Sequence, residues 1–322
     1  MAAPTLTETL DTLYTTTWQL MRDEVVNQIF TATPLWAQLR NREKVRRESG
    51  GRWIGFGVEY AKNSTVKYIT RGGTVSLNKD DIATTGKVDW KYLIGNLTRY
   101  WVDDQQNAGK SQLMNKIQIE LSNLKNSLID SLETSLFSDG SADSGAEIDG
   151  LQNIISTTTT YAGLSPTTYT WWKATSKAST GAAAVYLRSD MTNVFNTVQR
   201  IKTPSNKPTL IITDQTSYEL FETEVLAPMQ RIINQELHNL GFDRFEFKGA
   251  PVDWSPAASP SGVMYFLNTN YLQLIVDSKA DFEMTEWKTV PNSLDRSAQI
   301  VSALNLVCTN RSQQGKLTGI AA

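Results

Sequence analysis

The chain has 322 residues, 40% of them hydrophobic, enough to bury the core of one large domain or two modest ones. Lys and Arg number 31 against 33 Asp and Glu, so the net charge of -2 excludes a chain-wide electrostatic grip on nucleic acid or on a membrane surface and leaves only local contact. With one cysteine, Cys308, and one histidine, His238, an internal disulfide is impossible, and neither a Cys/His zinc site nor a Cys-His nucleophile pair is expected.

The N-terminal MAAPTLTETLDTLYTTTW has no positive region followed by an apolar run, and no stretch approaches the ~18 apolar residues of a spanning helix. The expectation is a cytoplasmic protein with no membrane partner. Residues 6–40 read as one or two helices, with Leu6, Leu10, Leu13, Leu20, Val25 and Ile29 near helical spacing and Pro34 as the break. This arm ends in RNREKVRRE, where Arg40, Arg42, Lys44, Arg46 and Arg47 stand beside two glutamates. Such a run is either an ion-paired, solvated face or a contact with nucleic acid or a neighbour's acidic surface.

In SGGRWIGFGVEYAK, Ile54, Phe56, Val58 and Tyr60 alternate with Gly55, Gly57 and Glu59, the period of a strand. After a polar middle with a turn at Arg71-Gly72-Gly73, alternation returns at Val88, Trp90, Tyr92 and Ile94. Residues 50–97 therefore predict a long β-hairpin. A lone two-stranded ribbon is marginal in water, so this one must lie on something else. Its aromatic side chains, Trp53, Phe56, Tyr60, Tyr68, Trp90 and Tyr92, suit either an interface or local core packing.

DDQQNAGKS, residues 103–111, closes with the last three letters of a phosphate loop. Asp104, however, holds the place of that motif's first glycine, and two carboxylates stand where the anion would approach, so a helix start is expected instead. Leu113, Ile117, Leu121, Leu124, Leu128, Leu132 and Leu136 then draw one apolar stripe, predicting a long helix over about 108–137. It runs into SDGSADSGAEIDG, where Asp139, Ser141 and Asp143 match the opening of a calcium loop. Ser144 and Gly150 hold the positions that require Gly and Glu, which leaves an acidic turn.

Beyond Gly150-Leu151, STTTTYAGLSPTTYTWW reads as a surface connection that packs at Trp171 and Trp172. From 182 to about 276 the order is helix (AAAVYLRSDMTNVFNTVQRI), strand (PTLIITD), helix (TSYELFETEVLAPMQRII), strand (FEFKGAPV) and strand (GVMYFLN), a mixed α/β unit. Asp214 after LIIT is a strand-end ligand or a helix cap, and the Gln-Thr-Ser that follows favours the cap. His238 sits in a helical run, and Cys308 in the apolar IVSALNLVC reads as a small buried hydrophobe. The tail, YLQLIVDSKADFEMTEWK and SAQIVSALNLVCTN, predicts long strands that pack back on earlier elements. No cofactor or metal site is expected.

An arm, a long hairpin, a long helix, an α/β unit and returning strands, in that order, resemble the major capsid proteins of tailed bacteriophages, the Hong Kong 97 type. TPLWAQLR before GGRWIGFGVEY is similar to the end of that family's N-arm entering its extended loop, and Gly150-Leu151 to its exit from the spine helix. The most family-like string is FKGAPVDWSPAASPSGVMYFLNTNYLQL, residues 247–274, with Gly249, Pro251, the turn Pro260-Ser261-Gly262 and Asn268. The resemblance spans roughly residues 34–310.

It implies an α+β chain of the Hong Kong 97-type capsid fold: N-arm 1–49, extended loop 50–97, peripheral domain 98–185 with its spine helix, axial domain 186–277, and a return to the peripheral domain over 278–322. It implies a structural protein, not an enzyme. Copies would form hexamers and pentamers that close into an icosahedral or prolate head around packaged double-stranded DNA, each extended loop lying across a neighbour. Trp53, Phe56, Tyr60, Tyr68, Arg71, Trp90 and Tyr92 are then the inter-subunit candidates, and Arg40, Arg42, Lys44, Arg46 and Arg47 the DNA-facing or neighbour-contact candidates. The implied partners are further copies of the chain, a separate scaffolding protein, portal and decoration proteins, and DNA held by weak non-specific contact. The near-neutral balance suits a container wall, because a strongly basic lining would grip the genome. The implied location is the virion capsid, assembled in the host bacterial cytoplasm. Lys62, Lys67, Lys79 and Lys87 are available for the inter-subunit crosslinks some relatives make. An encapsulin shell is the nearest alternative, and a small-molecule enzyme using Asp214 on the 186–277 unit a more distant one.

Overall fold

The computed structural model describes residues 33–75, 77–102, 116–199, 206–226 and 245–321. The helical arm expected before residue 33, the phosphate-loop-like 103–111 and His238 lie outside the described residues. The chain divides into two units. Among the described residues the smaller comprises 93–102, 116–131 and Phe282–Ser302, and the larger comprises the rest.

In the larger unit, helix α1 (Pro34–Asn41) opens on proline, which suits a first turn whose N–H groups have no partner within the helix. The N–H groups of Leu35 and Trp36 donate to the two carboxylate oxygens of Glu133 at 2.9 and 2.8 Å, so a distant side chain caps the helix. Glu43, at φ 55, then turns the chain into β1 (Val45–Glu48). This strand runs parallel to β10 (Leu272–Asp277), which pairs antiparallel with the second half of β13 (Arg296–Cys308).

A second sheet in the same unit has the order β5-β14-β9-β6-β8-β7. These strands are β5 (Thr175–Ala178), β6 (Leu210–Thr213), β7 (Phe245–Phe247), β8 (Ala250–Trp254), β9 (Met264–Leu267) and β14 (Gly315–Thr318). The predicted strand FEFKGAPV is two, because Lys248 and Gly249 both adopt positive φ (52 and 76) and make a tight hairpin of β7 and β8. Helix α3 (Ala183–Gln199) lays Leu187, Met191, Val194 and Val198 over a core that includes Ile211, Phe266 and Leu317. Gly315 lets the helix approach, since a Cβ there would stand 2.7 Å from Val198 and 2.9 Å from Val194. Two of its strands, β5 and β14, come from either side of residues 186–277: they hydrogen-bond to each other, and β14 to β9. Each is four residues of mixed polarity, too short for its alternation to register.

The predicted hairpin is β2 (Trp53–Glu59) against β3 (Ala83–Asp89). The alternation carried through Val88, Trp90 and Ile94 as one strand is broken at Trp90. The chain there enters β4 (Lys91–Arg99), which pairs with β13 rather than with β2.

In the smaller unit, helix α2 (Lys116–Phe137) begins; its 22 residues span ~33 Å. Along the predicted stripe Leu121 and Leu124 are half-buried, and Leu128, Leu132 and Leu136 are buried. Gly95 of β4 brings that strand onto the helix, where a Cβ would meet Leu124 at 2.8 Å. The two-residue strands β11 (Glu283–Met284) and β12 (Lys288–Thr289) line the first half of β13.

Candidate inter-subunit surface

The seven pairs of the hairpin, from Trp53↔Asp89 to Glu59↔Ala83, put Ile54, Phe56, Val58, Gly86 and Val88 on one face. That face lies on residues 161–172 of the predicted connection 156–172. Phe56 stacks on Trp172 with centroids 6.3 Å apart, Tyr60 stacks on Trp171 at 5.2 Å, and the Lys87 N–H donates to the Ala162 carbonyl at 3.1 Å. Gly86 makes room for the Phe56 ring, which a Cβ there would meet at 2.7 Å. The hairpin's base thus has its own support within the chain.

Its distal part has none among the described residues. Past the last strand pair, Tyr60 N–H still donates to Ile82 O, Asp80 accepts from the Ser64 N–H and hydroxyl, and Gly73 N–H to Thr70 O closes the tip. The donors at Ser64 hold the Asp80 carboxyl below its usual range. Between these turns Val66, Tyr68 and Leu77 are 82%, 106% and 97% exposed, and Ile69 and Val75 are more than half exposed. Apolar side chains this close together and uncovered are the composition of a surface that meets another.

The seven inter-subunit candidates therefore fall into different settings. Phe56 and Tyr60 pack within the chain, and the Trp90 indole donates to Gly51 O at 3.0 Å. Trp53 is part-exposed beneath the Arg52 and Lys87 cations, at 5.5 and 4.7 Å from its ring centre. Tyr68 and Arg71 stand exposed in the distal part, and Tyr92 is exposed on β4. Of the basic candidates, Arg47 makes two bonds to Asp281 (2.8 and 2.6 Å), Arg46 pairs with Glu48 (3.3 Å), Lys44 reaches Asn270 and Arg42 reaches Gln38. Arg40 is exposed at the end of α1. Neutralising partners therefore already stand beside Arg46 and Arg47.

The residues weighed for chemistry are occupied otherwise. Asp214 caps α4 (Gln215–Phe221): it accepts from the Ser217 N–H and hydroxyl and also from the Ser261 hydroxyl and the Gly262 N–H. Those donors fill its carboxylate oxygens. Asp139 is bonded to the N–H and hydroxyl of Ser141, and Asp143 sits at φ 50 in its own turn. Among the described residues no group of three or more His, Cys, Asp or Glu could hold a metal ion, and no helix is long and apolar enough to cross a membrane. Cys308 is fully buried, which pushes its thiol up to about 12. The sequence reading missed Glu133, whose neighbour Leu132 belongs to the apolar stripe, and Arg311, which in TNRSQQGK carries no signal of burial.

No protein-family model matches the sequence, and no curated protein matches it. Solved structures do. A chain of the cyanophage A-1(L) capsid asymmetric unit is similar at TM-score 0.69 and 19% identity, over 93% of this chain and 96% of that one. The capsid of Myoviridae phage XM1 is similar at TM-score 0.61 and 9% identity, over 92% and 95%. The holo-SrpI encapsulin complex of Synechococcus elongatus follows at TM-score 0.60 and 11% identity, over 99% and 96%. At such identities the likeness speaks for architecture, and it runs nearly end to end in each pair: the chain has the α+β Hong Kong 97-type capsid fold.

Proposed function

We propose that the chain is the major capsid protein of a tailed bacteriophage, its copies assembling into hexamers and pentamers that close an icosahedral or prolate head around double-stranded DNA. The observation that carries this reading is the distal hairpin, a run of exposed apolar side chains on a ribbon too thin to bury them itself, on a fold otherwise found in shells. Laid across a second copy, Val66, Tyr68, Ile69, Val75 and Leu77 would leave water together. The same reading gives the chain a separate scaffolding protein, portal and decoration proteins as partners, and places assembly in the host bacterial cytoplasm. DNA contact is weak and non-specific, since Arg46 and Arg47 are already ion-paired. The encapsulin likeness, covering 99% of this chain, supports a second reading as the shell of a protein-storing compartment.

Sedimentation of the purified chain, with electron microscopy of any fast fraction, tests the shell. Regular particles are the expected result, and nuclease-protected DNA inside them separates the head from the compartment, which would hold protein. A slow monomer that stays slow when co-expressed with a neighbouring scaffold gene would overturn both readings.

A further inference from the structure

Arg311 is 0% exposed, and its guanidinium donates to four backbone carbonyls of one short segment: Nε to Ile154 (2.7 Å), Nη1 to Thr159 (3.1 Å), and Nη2 to Asn153 (3.1 Å) and Ser156 (3.0 Å). No carboxylate among the described residues pairs with it. Burying an unpaired cation costs several kcal/mol, so this arrangement is a poor device if stability alone is at stake. What the fork accomplishes is geometric. Asn153, Ile154 and Ser156 lie at or just past the end of the helical turn Leu151–Ile154, where carbonyls have no partner within the turn, and Arg311 gathers them together with Thr159 into one rigid bend.

That bend leads directly to the hairpin's support. The guanidinium stands 5.6 Å from the Tyr161 ring centre. Tyr161 in turn donates its hydroxyl to Leu306 O (3.1 Å), accepts from the Cys308 N–H (3.0 Å), stacks on Trp172 and accepts the Trp172 indole N–H on its carbonyl (3.3 Å). Trp172 and Trp171 carry Phe56 and Tyr60 of the hairpin, and Ala162 O takes the Lys87 N–H. A two-stranded ribbon has little rigidity of its own, so its direction is set by what it rests on.

We infer that Arg311 is a positioning residue for the extended hairpin: its carbonyl clamp fixes segment 153–172 as a platform that aims the hairpin in the free subunit, before any second copy of the chain arrives. Under the shell reading, on which the assembly consequence alone rests, this is preorganisation: the ordering is complete in the subunit and is not charged against association.

Hydrogen exchange on the unassembled chain, taken from the slow fraction, tests the positioning. Lysine keeps the charge but cannot span four carbonyls, so Arg311→Lys is expected to speed exchange at β3 amides, Lys87 above all, by tenfold or more while β6 and β9 amides keep their rates. Exchange that rises equally in β3, β6 and β9 would mean general destabilisation and would overturn the inference, as would β3 amides unchanged. Should Arg311→Lys fail to fold, Trp172→Phe leaves the clamp intact and carries the same expectation at Lys87. Particle yield is read separately: Arg311→Lys is expected to raise the concentration needed for shells about tenfold. A wild-type chain that forms none sinks the shell reading, while the exchange result still decides the positioning.

Discussion

The ionisation of Glu133 touches the backbone architecture directly. Its three donors are the Leu35 and Trp36 N–H groups and the Ser255 hydroxyl, at 2.9, 2.8 and 3.0 Å. Burial nevertheless raises its pKa, outweighing those donors, with the Asp253 carboxylate adding to the rise. The folded chain therefore holds this proton more tightly than the unfolded chain, where the group titrates near about 4.3. The stability it contributes is full below that value and is lost as pH climbs through the raised folded value, the reverse of ordinary acid unfolding. Glu133→Gln removes the titration, so the wild-type minus variant difference in unfolding free energy should fall with rising pH across that window and then level. A difference that rises with pH, or does not change, would contradict the assignment. Glu133→Ala, which strips the α1 N–H groups of their acceptor, is expected to cost roughly 3 kcal/mol in denaturant unfolding. Cys308 gives an independent residue-level check: with its thiol sealed and pushed up to about 12, an aromatic disulfide reagent at pH 8 should label it only at the rate of unfolding. Labelling within seconds would place the thiol at the surface.

Elements were legible where their cause is local. The leucines of α2 and the Ile54/Val58 alternation of β2 follow from helix and strand periods that adjacent residues carry by themselves. The Trp171-Trp172 packing point was visible as two aromatics in a polar run, although nothing nearby named the hairpin as its partner. What escaped is what depends on distant chain: β5 and β14, which are held by pairing with each other and, for β14, with β9, and Glu133, which caps a helix 98 residues away. Gly150 belongs to the same class. The sequence places it at the exit of the long helix, but only packing shows the reason, a Cβ there running into the Ser135 and Ser138 carbonyls at the end of α2. Gly150→Ala should therefore cost about 1–3 kcal/mol, as overpacking against backbone does. Gly57→Ala is the matched control in open space and should stay within about 0.5 kcal/mol. Equal thermal shifts for the two variants would remove close approach as the explanation.

At the scale of the whole molecule the hairpin divides into a part the chain supports and a part it leaves to others. Ile54, Val58 and Val88 are buried within the chain, whereas Tyr68 and Leu77 are 106% and 97% exposed, with no cover among the described residues. Changes at these two kinds of position should therefore separate folding from association. Tyr68→Asp with Leu77→Asp removes apolar surface that no described residue covers, so unfolding of the free chain should move by no more than about 0.5 kcal/mol. Association is another matter. A stable protein interface needs ~1,200–2,000 Å² of buried surface with a desolvated centre, and two carboxylates placed at that centre must be dried on every copy. Under the shell reading, sedimentation should then find the double variant slow at concentrations where the parent chain is expected to form particles, with an unchanged melting temperature. Particles at parental yield would mean that the distal apolar run faces solvent in the shell, and the contact holding copies together would have to be sought on the exposed Tyr92, Ile94 and Trp101 instead.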